Sequence, residues 1–296
     1  GTREEIDYQE DWSDFTLFGT NYLVRQGLRS MISYGPADFY VQAGNARLDR
    51  GPFWGNGIVF GGQAPHVPQF SLTWMQERVI VQMLYAELTA TNYLGGGRAP
   101  GKHLFHHGIQ WWPFDWLELG GFETVVFGPR FDLTYFVPFA YLFYQQAFSG
   151  FDDNALFGLS AYARLPHGLV PRIVLYIDDL HFNDIVRFDF STKYKLAAEL
   201  GIDWLPDVPI LSRVGVDYTA VMPYMYTHVD ERFSGDSPSD PNESNYTHAG
   251  VNLGPALQPN SDRSTLVLGL RPTATMDVEL LATFIRHGNA SEGITD

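Results

Sequence analysis

The stretch TKYKLAAELGIDW, residues 192–204, decides the fold. Its even positions are Tyr194, Leu196, Ala198, Leu200, Ile202 and Trp204, and its odd positions are Lys193, Lys195, Ala197, Glu199, Gly201 and Asp203. One set is apolar throughout; the other holds nothing both large and apolar. Side chains alternate across a strand but spiral around a helix. A helix would bring Leu196, Glu199 and Leu200 to one side and mix the two sets, so the alternation predicts a strand. It also lasts as long as the roughly 9–11 residues that a tilted strand needs to cross a bilayer.

The same signature recurs on either side. Residues 213–224 set Val214, Val216, Tyr218, Ala220 and Met222 against Arg213, Asp217 and Thr219. In residues 277–284, Val278, Leu280, Ala282 and Phe284 oppose Asp277, Glu279 and Thr283, and Val186, Phe188 and Phe190 alternate with Arg187, Asp189 and Ser191. Breakers separate these runs: YLGGGRAPG at 93–101, PDVP at 206–209, and the polar DERFSGDSPSDPNES at 230–244, read as too hydrophilic to pack. Short turns alternating with longer loops are the asymmetry of a membrane barrel. The spacing predicts an all-β fold, a transmembrane antiparallel β-barrel of roughly 12–16 strands, as a single domain over residues 1–296. A soluble sandwich would use shorter strands, about 5–6 residues, and a propeller would repeat every 40–50 residues or so, which this sequence does not. Residues 133–144 (LTYFVPFAYLFY) are apolar in both phases. Pro138 breaks a regular strand there, leaving either a plug inside the barrel or a bulged aromatic strand.

Composition agrees. Of 296 residues, 45% are hydrophobic and 15% aromatic, yet mean hydropathy is −0.13. No apolar run approaches the length of a transmembrane helix. The net charge of −15 opposes nucleic-acid binding, which needs clustered cations. Cysteine is absent, and a barrel closes its own hydrogen-bond ladder without disulfides. The sequence opens without Met or a signal segment, as expected of a mature or truncated chain.

Chemistry-bearing residues are few. His103, His106 and His107 cannot converge on a metal, because a strand sends His106 away from the other two. Asp178 and Asp179 are adjacent on a strand end and face opposite ways, as do Asp152 and Asp153, so neither pair suits acid–base work on one bond. Asp236, Asp240 and Glu243 lack the spacing of a calcium loop, and no nucleophile elbow is present. The expectation is a non-enzymatic protein without cofactor or metal. Residues 47–70 (RLDRGPFWGNGIVFGGQAPHVPQF) are rich in Gly and Pro yet anchored by Phe and Trp, which suits an inward loop or a plain strand connection. Trp111, Trp112 and Trp116 crowd GIQWWPFDWLEL; flat rings stack on sugars, and a membrane-interface belt uses the same residues.

Four ordered segments resemble the Wzi-like capsule assembly family of the Gram-negative-type outer membrane. They are LDRGPFWGNGIVFGGQAP (48–65), HLFHHGIQWWPFDWLELGGFETVVFG (103–128), DNALFGLSAYARLPHGLVPRIVLYIDD (153–179) and NYTHAGVNLGPALQPNSDRSTLVL (245–268). The resemblance implies a bacterial outer-membrane barrel of up to 18 strands, its lumen partly occluded by loops. It also implies a lectin-like role holding capsular or exopolysaccharide among outer-membrane lipid and lipopolysaccharide. The chain is shorter than family members and is expected to lack part of their N-terminal region and to act as a monomer. Sugar contacts are expected at Trp54, Trp111, Trp112, Trp116, Asp178 and Asp179. A diffusion porin with a polar lumen and a soluble carbohydrate-binding β-protein are the alternatives.

Overall fold

The computed structural model describes residues 12–17, 20–25, 29–50, 57–90, 101–128, 130–137, 142, 153–178, 195–228 and 243–288. In chain order the strands are β1 (Trp12–Leu17), β2 (Thr20–Arg25), β3 (Ser30–Tyr34), β4 (Phe39–Ala46), β5 (Asp49–Arg50), β6 (Phe60–Gly61), β7 (Val67–Gln76), β8 (Val79–Thr89) and β9 (Gly101–Phe114). There follow β10 (Leu117–Phe127), β11 (Asn154–Ala163), β12 (Leu169–Asp178), β13 (Lys195–Trp204), β14 (Ile210–Val221), β15 (Thr247–His248), β16 (Val251–Asn252), β17 (Ser261–Thr273) and β18 (Met276–His287). Twelve of them form one antiparallel sheet in the order β18-β17-β14-β13-β12-β11-β10-β9-β8-β7-β4-β3. Every neighbour in that order is also the next long strand in sequence, so the sheet is an uninterrupted meander.

The sidedness of this sheet is inverted relative to a water-soluble protein. On β13 the apolar Leu200 and Ile202 are 45% and 47% exposed, whereas Glu199 is 1% exposed and Asp203 is buried with it. On β14, Val216 is exposed while Asp217 and Thr219 are buried. The pairing register keeps the two sets apart: Glu199 faces Thr219 and Leu200 faces Tyr218. Strand β17 continues the scheme, with Leu266 outside and Arg263 and Thr265 inside. The alternation seen in residues 192–204 is therefore structural from Lys195 on; residues 192–194 lie outside the described residues, as do 186–191.

The connections differ at the two ends of the strands. At one end, short turns join β3 to β4, β7 to β8, β9 to β10, β11 to β12, β13 to β14 and β17 to β18. The other end carries the long connections, such as those between β4 and β7, β10 and β11, and β14 and β17. Near the short turns the outward positions are aromatic: Tyr34, Phe39, Trp74, Trp111, Trp116 and Trp204 are all exposed.

Residues 133–144 are neither a plug nor a bulged strand where described. Leu133–Phe136 is a 3₁₀ turn, capped by Asp132 accepting from the Thr134 amide. This turn lies on the outer face, where Tyr135 and Leu142 are buried against Phe105, Val125, Phe127 and Ala155. It carries its own polar partners. The Leu142 amide donates to Glu123 at 2.6 Å, the Tyr135 hydroxyl donates to Asp153, and Arg130 reaches the same carboxylate. Apolarity in both phases reflects a strap laid over an already apolar wall.

Candidate functional site

The inner face of the sheet is filled from the long-loop end. One buried cluster joins Leu84, Leu104, Val126, Leu156, Tyr176, Ala197 and Val221 of seven different strands to Ile58, Phe60, Met225, Tyr226, Tyr246 and Leu253 of the loops. A sheet whose strands from β8 to β14 all meet one cluster must curve around it. The inserted segments, residues 57–66, 222–228 and 243–260, form a plug.

The plug is locked by hydrogen bonds between its parts. The Tyr226 hydroxyl donates to the Ile58 carbonyl at 2.7 Å and the Tyr246 hydroxyl to the Val59 carbonyl at 2.9 Å. The Gln63 amide donates to the carbonyls of Asn252, Gly254 and Pro255. Tyr246 stacks on Tyr226 and on Phe60. The plug is tied to the wall as well, since the Ile58 amide donates to Glu199 of β13 and the Ala249 amide to the Thr89 carbonyl of β8. Burial drives the hydroxyls of Tyr226 and Tyr246 well above the ordinary phenol range, so both remain donors. His248 sits in the plug beside buried Lys102. Desolvation first, and the Lys102 charge second, lower its pKa to about 4.

Below the plug the inner wall is charged. Arg172 of β12 ion-pairs with Asp203 of β13 and Asp217 of β14, and Arg213 shares Asp203 at 2.7 Å. Gly201 makes this possible: a Cβ there would fall 2.4 Å from Asp217 Oδ1 and 2.7 Å from Arg172 Nε. Gly158 likewise yields to the Phe122 ring, which a Cβ would meet at 2.0 Å.

The expected site residues fall in different places. Trp111 and Trp116 stand on the outer face at the short-turn end, the position of an interface girdle, and Trp112 is half-buried beside them. Asp178 ends β12 at the opposite end, buried on the inner side. The tryptophans and Asp178 are thus separated by the height of the sheet and form no common site. Trp54 and Asp179 lie outside the described residues. His103 and His107 share the outer phase of β9 while His106 faces inward, where its Nδ1 meets Thr124 Oγ1 at 2.9 Å. Of the loop expected at 230–244, Glu243 and Ser244 prove buried within the plug; their polarity is absorbed there because Lys102 of β9 lies close to Glu243. The ion network and the plug tyrosines are not legible in the sequence, although the inner phase of β12, β13 and β14 already holds the charges.

No protein-family model and no curated protein sequence matches the chain. Among solved structures it is similar in fold to Wzi, an outer membrane protein involved in group 1 capsule assembly in Escherichia coli and a carbohydrate-binding β-barrel. The TM-score is 0.61 at 12% identity, over 88% of this chain and 56% of that one. The chain therefore spans little more than half the length of that barrel, and what the two share is the fold.

Proposed function

We propose that this chain is an outer-membrane β-barrel that holds cell-surface polysaccharide without catalysis, its lumen closed by the plug. The observation that carries the proposal is the inverted sidedness: a wall with Leu200, Ile202, Val216 and Leu266 outside and Glu199, Asp203, Asp217 and Arg263 inside suits lipid around it. The exposed aromatics at the short-turn end then become the interface girdle on the periplasmic side, with the long loops outward. The Wzi likeness supports the ligand class and the lipid and lipopolysaccharide surroundings. The soluble alternative would leave this apolar girth facing water, whereas large exposed apolar patches normally mark an interaction surface.

The test is titration of the detergent-solubilised protein with capsular and lipopolysaccharide glycans of the host, beside surface-glycan staining of a deletion strain. Binding together with lost surface glycan supports the reading; no binding and unchanged glycan overturn it. A porin is the second reading, favoured by the polar inner wall. Steady large currents in planar bilayers would establish it, while silence fits the interlocked Tyr226 and Tyr246.

A further inference from the structure

Between the plug and the short turns the curved sheet lines a half-open chamber of about 170 Å³. Ile58 and Val59 of the plug form its roof, and strands β8 to β13 its wall. It exists because neighbouring inward positions lack bulk. Gly108 on β9 and Gly120 on β10 both face inward, and Gly120 pairs with Ser160 of β11. A Cβ at Gly120 would lie 2.2 Å from Ser160 Oγ, so the wall there is bare backbone and one small hydroxyl.

The groups that reach the chamber are of two kinds. Phe122 and Tyr162 supply aromatic rings, and Gln82, Gln110, Glu118 and Ser160 supply hydrogen-bonding edges. Gln110 donates to Glu118 at 3.2 Å, which fixes the amide and leaves its carbonyl as an acceptor. The cation that reaches the chamber, Arg172, is committed to Asp203 and Asp217, and the carboxyl groups of Glu118 and Glu199 border the space. A ligand here needs an apolar face for the rings and hydroxyls for the carboxyl groups, and an anion would meet Arg172 already committed to two aspartates. A cavity of about 150 Å³ admits one benzene, so the space suits a single six-membered ring.

We infer that this chamber is a binding site for a single neutral hexopyranose unit, reached from the short-turn end and separate from the long loops. The inference takes its ligand class from the carbohydrate reading above and adds a second, inward site with its own selectivity. Affinity is in the millimolar range, as expected of so small a ligand.

The full chain in detergent micelles is titrated with methyl β-D-glucopyranoside, methyl β-D-galactopyranoside and D-glucuronate, with saturation-transfer NMR and calorimetry as readouts. The site requires binding of at least one methyl glycoside and at least tenfold weaker binding of glucuronate. Ser160→Phe fills the chamber and abolishes the signal. Leu159→Phe, one residue away on the outer face, leaves it within twofold. Circular dichroism and the heat-dependent gel shift of a folded barrel check that each variant folds. If Ser160→Phe does not fold, Tyr162→Phe and Gln110→Leu take its place, each weakening binding at least threefold. Absence of binding at tens of millimolar glycoside, equal binding of glucuronate, or insensitivity to the inward variants overturns the inference. Polymer titration stands apart: glycoside binding without polymer binding removes the surface-polysaccharide reading and keeps the chamber, and the reverse result removes only the chamber.

Discussion

Arg172 shows how an inner-wall residue is held by its neighbours. Its guanidinium lies across Gly201 and bridges carboxylates on two strands, so one missing side chain makes room for three charged groups. Removing it takes a bonded guanidinium away from both Asp203 and Asp217. Breaking a buried pair by deleting one partner costs about 3 kcal/mol or more. Arg172→Met should therefore lower the unfolding free energy in detergent by roughly that amount. Adding Asp217→Asn should cost less in this background than in the wild type, because the Arg172 pair is already gone; losses that simply add would refute the pairing. In the sequence, Arg172 and Asp217 stand 45 residues apart, so no local pattern joins them. What could be read was only their phase: each sits in the polar register of its own strand.

Among elements, β13 was legible and the strap was not, for a shared reason. Period-two alternation says that a strand has two different faces; it does not say what covers each. In β13 the two faces meet lipid-like exposure and a charged interior, and chemistry alone sorts them. In residues 133–144 both phases are apolar, and whether such a run forms a strand, fills a lumen or coats a wall depends on the surface it meets. The two cases make separate predictions. On β13, Leu200→Lys places a charge on the outer girth and should reduce folding into vesicles by about 2–4 kcal/mol at mid-depth. Glu199→Gln, inward and hydrogen-bonded to Ile58 and Thr219, should leave insertion unchanged; an equal loss in both would mean that the faces are misassigned. For the strap, Glu123→Ala leaves the Leu142 amide without its acceptor at a cost of about 1–3 kcal/mol. Faster proteolysis beside Leu142, with the remaining sheet intact, would report it.

At the scale of the molecule the plug fills the inner face of the curved sheet, and its stability is tied to pH through His248. The ring accepts a hydrogen bond from the Thr89 amide at Nδ1, 3.0 Å away, which requires a neutral imidazole at that nitrogen. Charged neighbours that face it are Lys102 on β9, which opposes protonation, and Glu243 in the plug, which is paired in charge with Lys102. Glu87 lines the same polar cavity of about 430 Å³ together with His66. In the unfolded plug His248 titrates near 6.5; in the folded plug it titrates at about 4. The neutral ring therefore contributes fully above pH 6.5. As pH falls, the displaced chain takes up a proton that the seated one refuses, and the contribution is lost between about pH 6.5 and pH 4. Its ceiling is roughly 3 kcal/mol. Bilayer recordings should thus be silent at pH 7.5 and show growing open-channel events below pH 5. His248→Gln keeps an acceptor for the Thr89 amide and cannot titrate, so it should suppress the acid-induced events. Equal acid opening in that variant would place the switch elsewhere, and conductance already present at pH 7.5 would mean that the plug does not close the lumen at all.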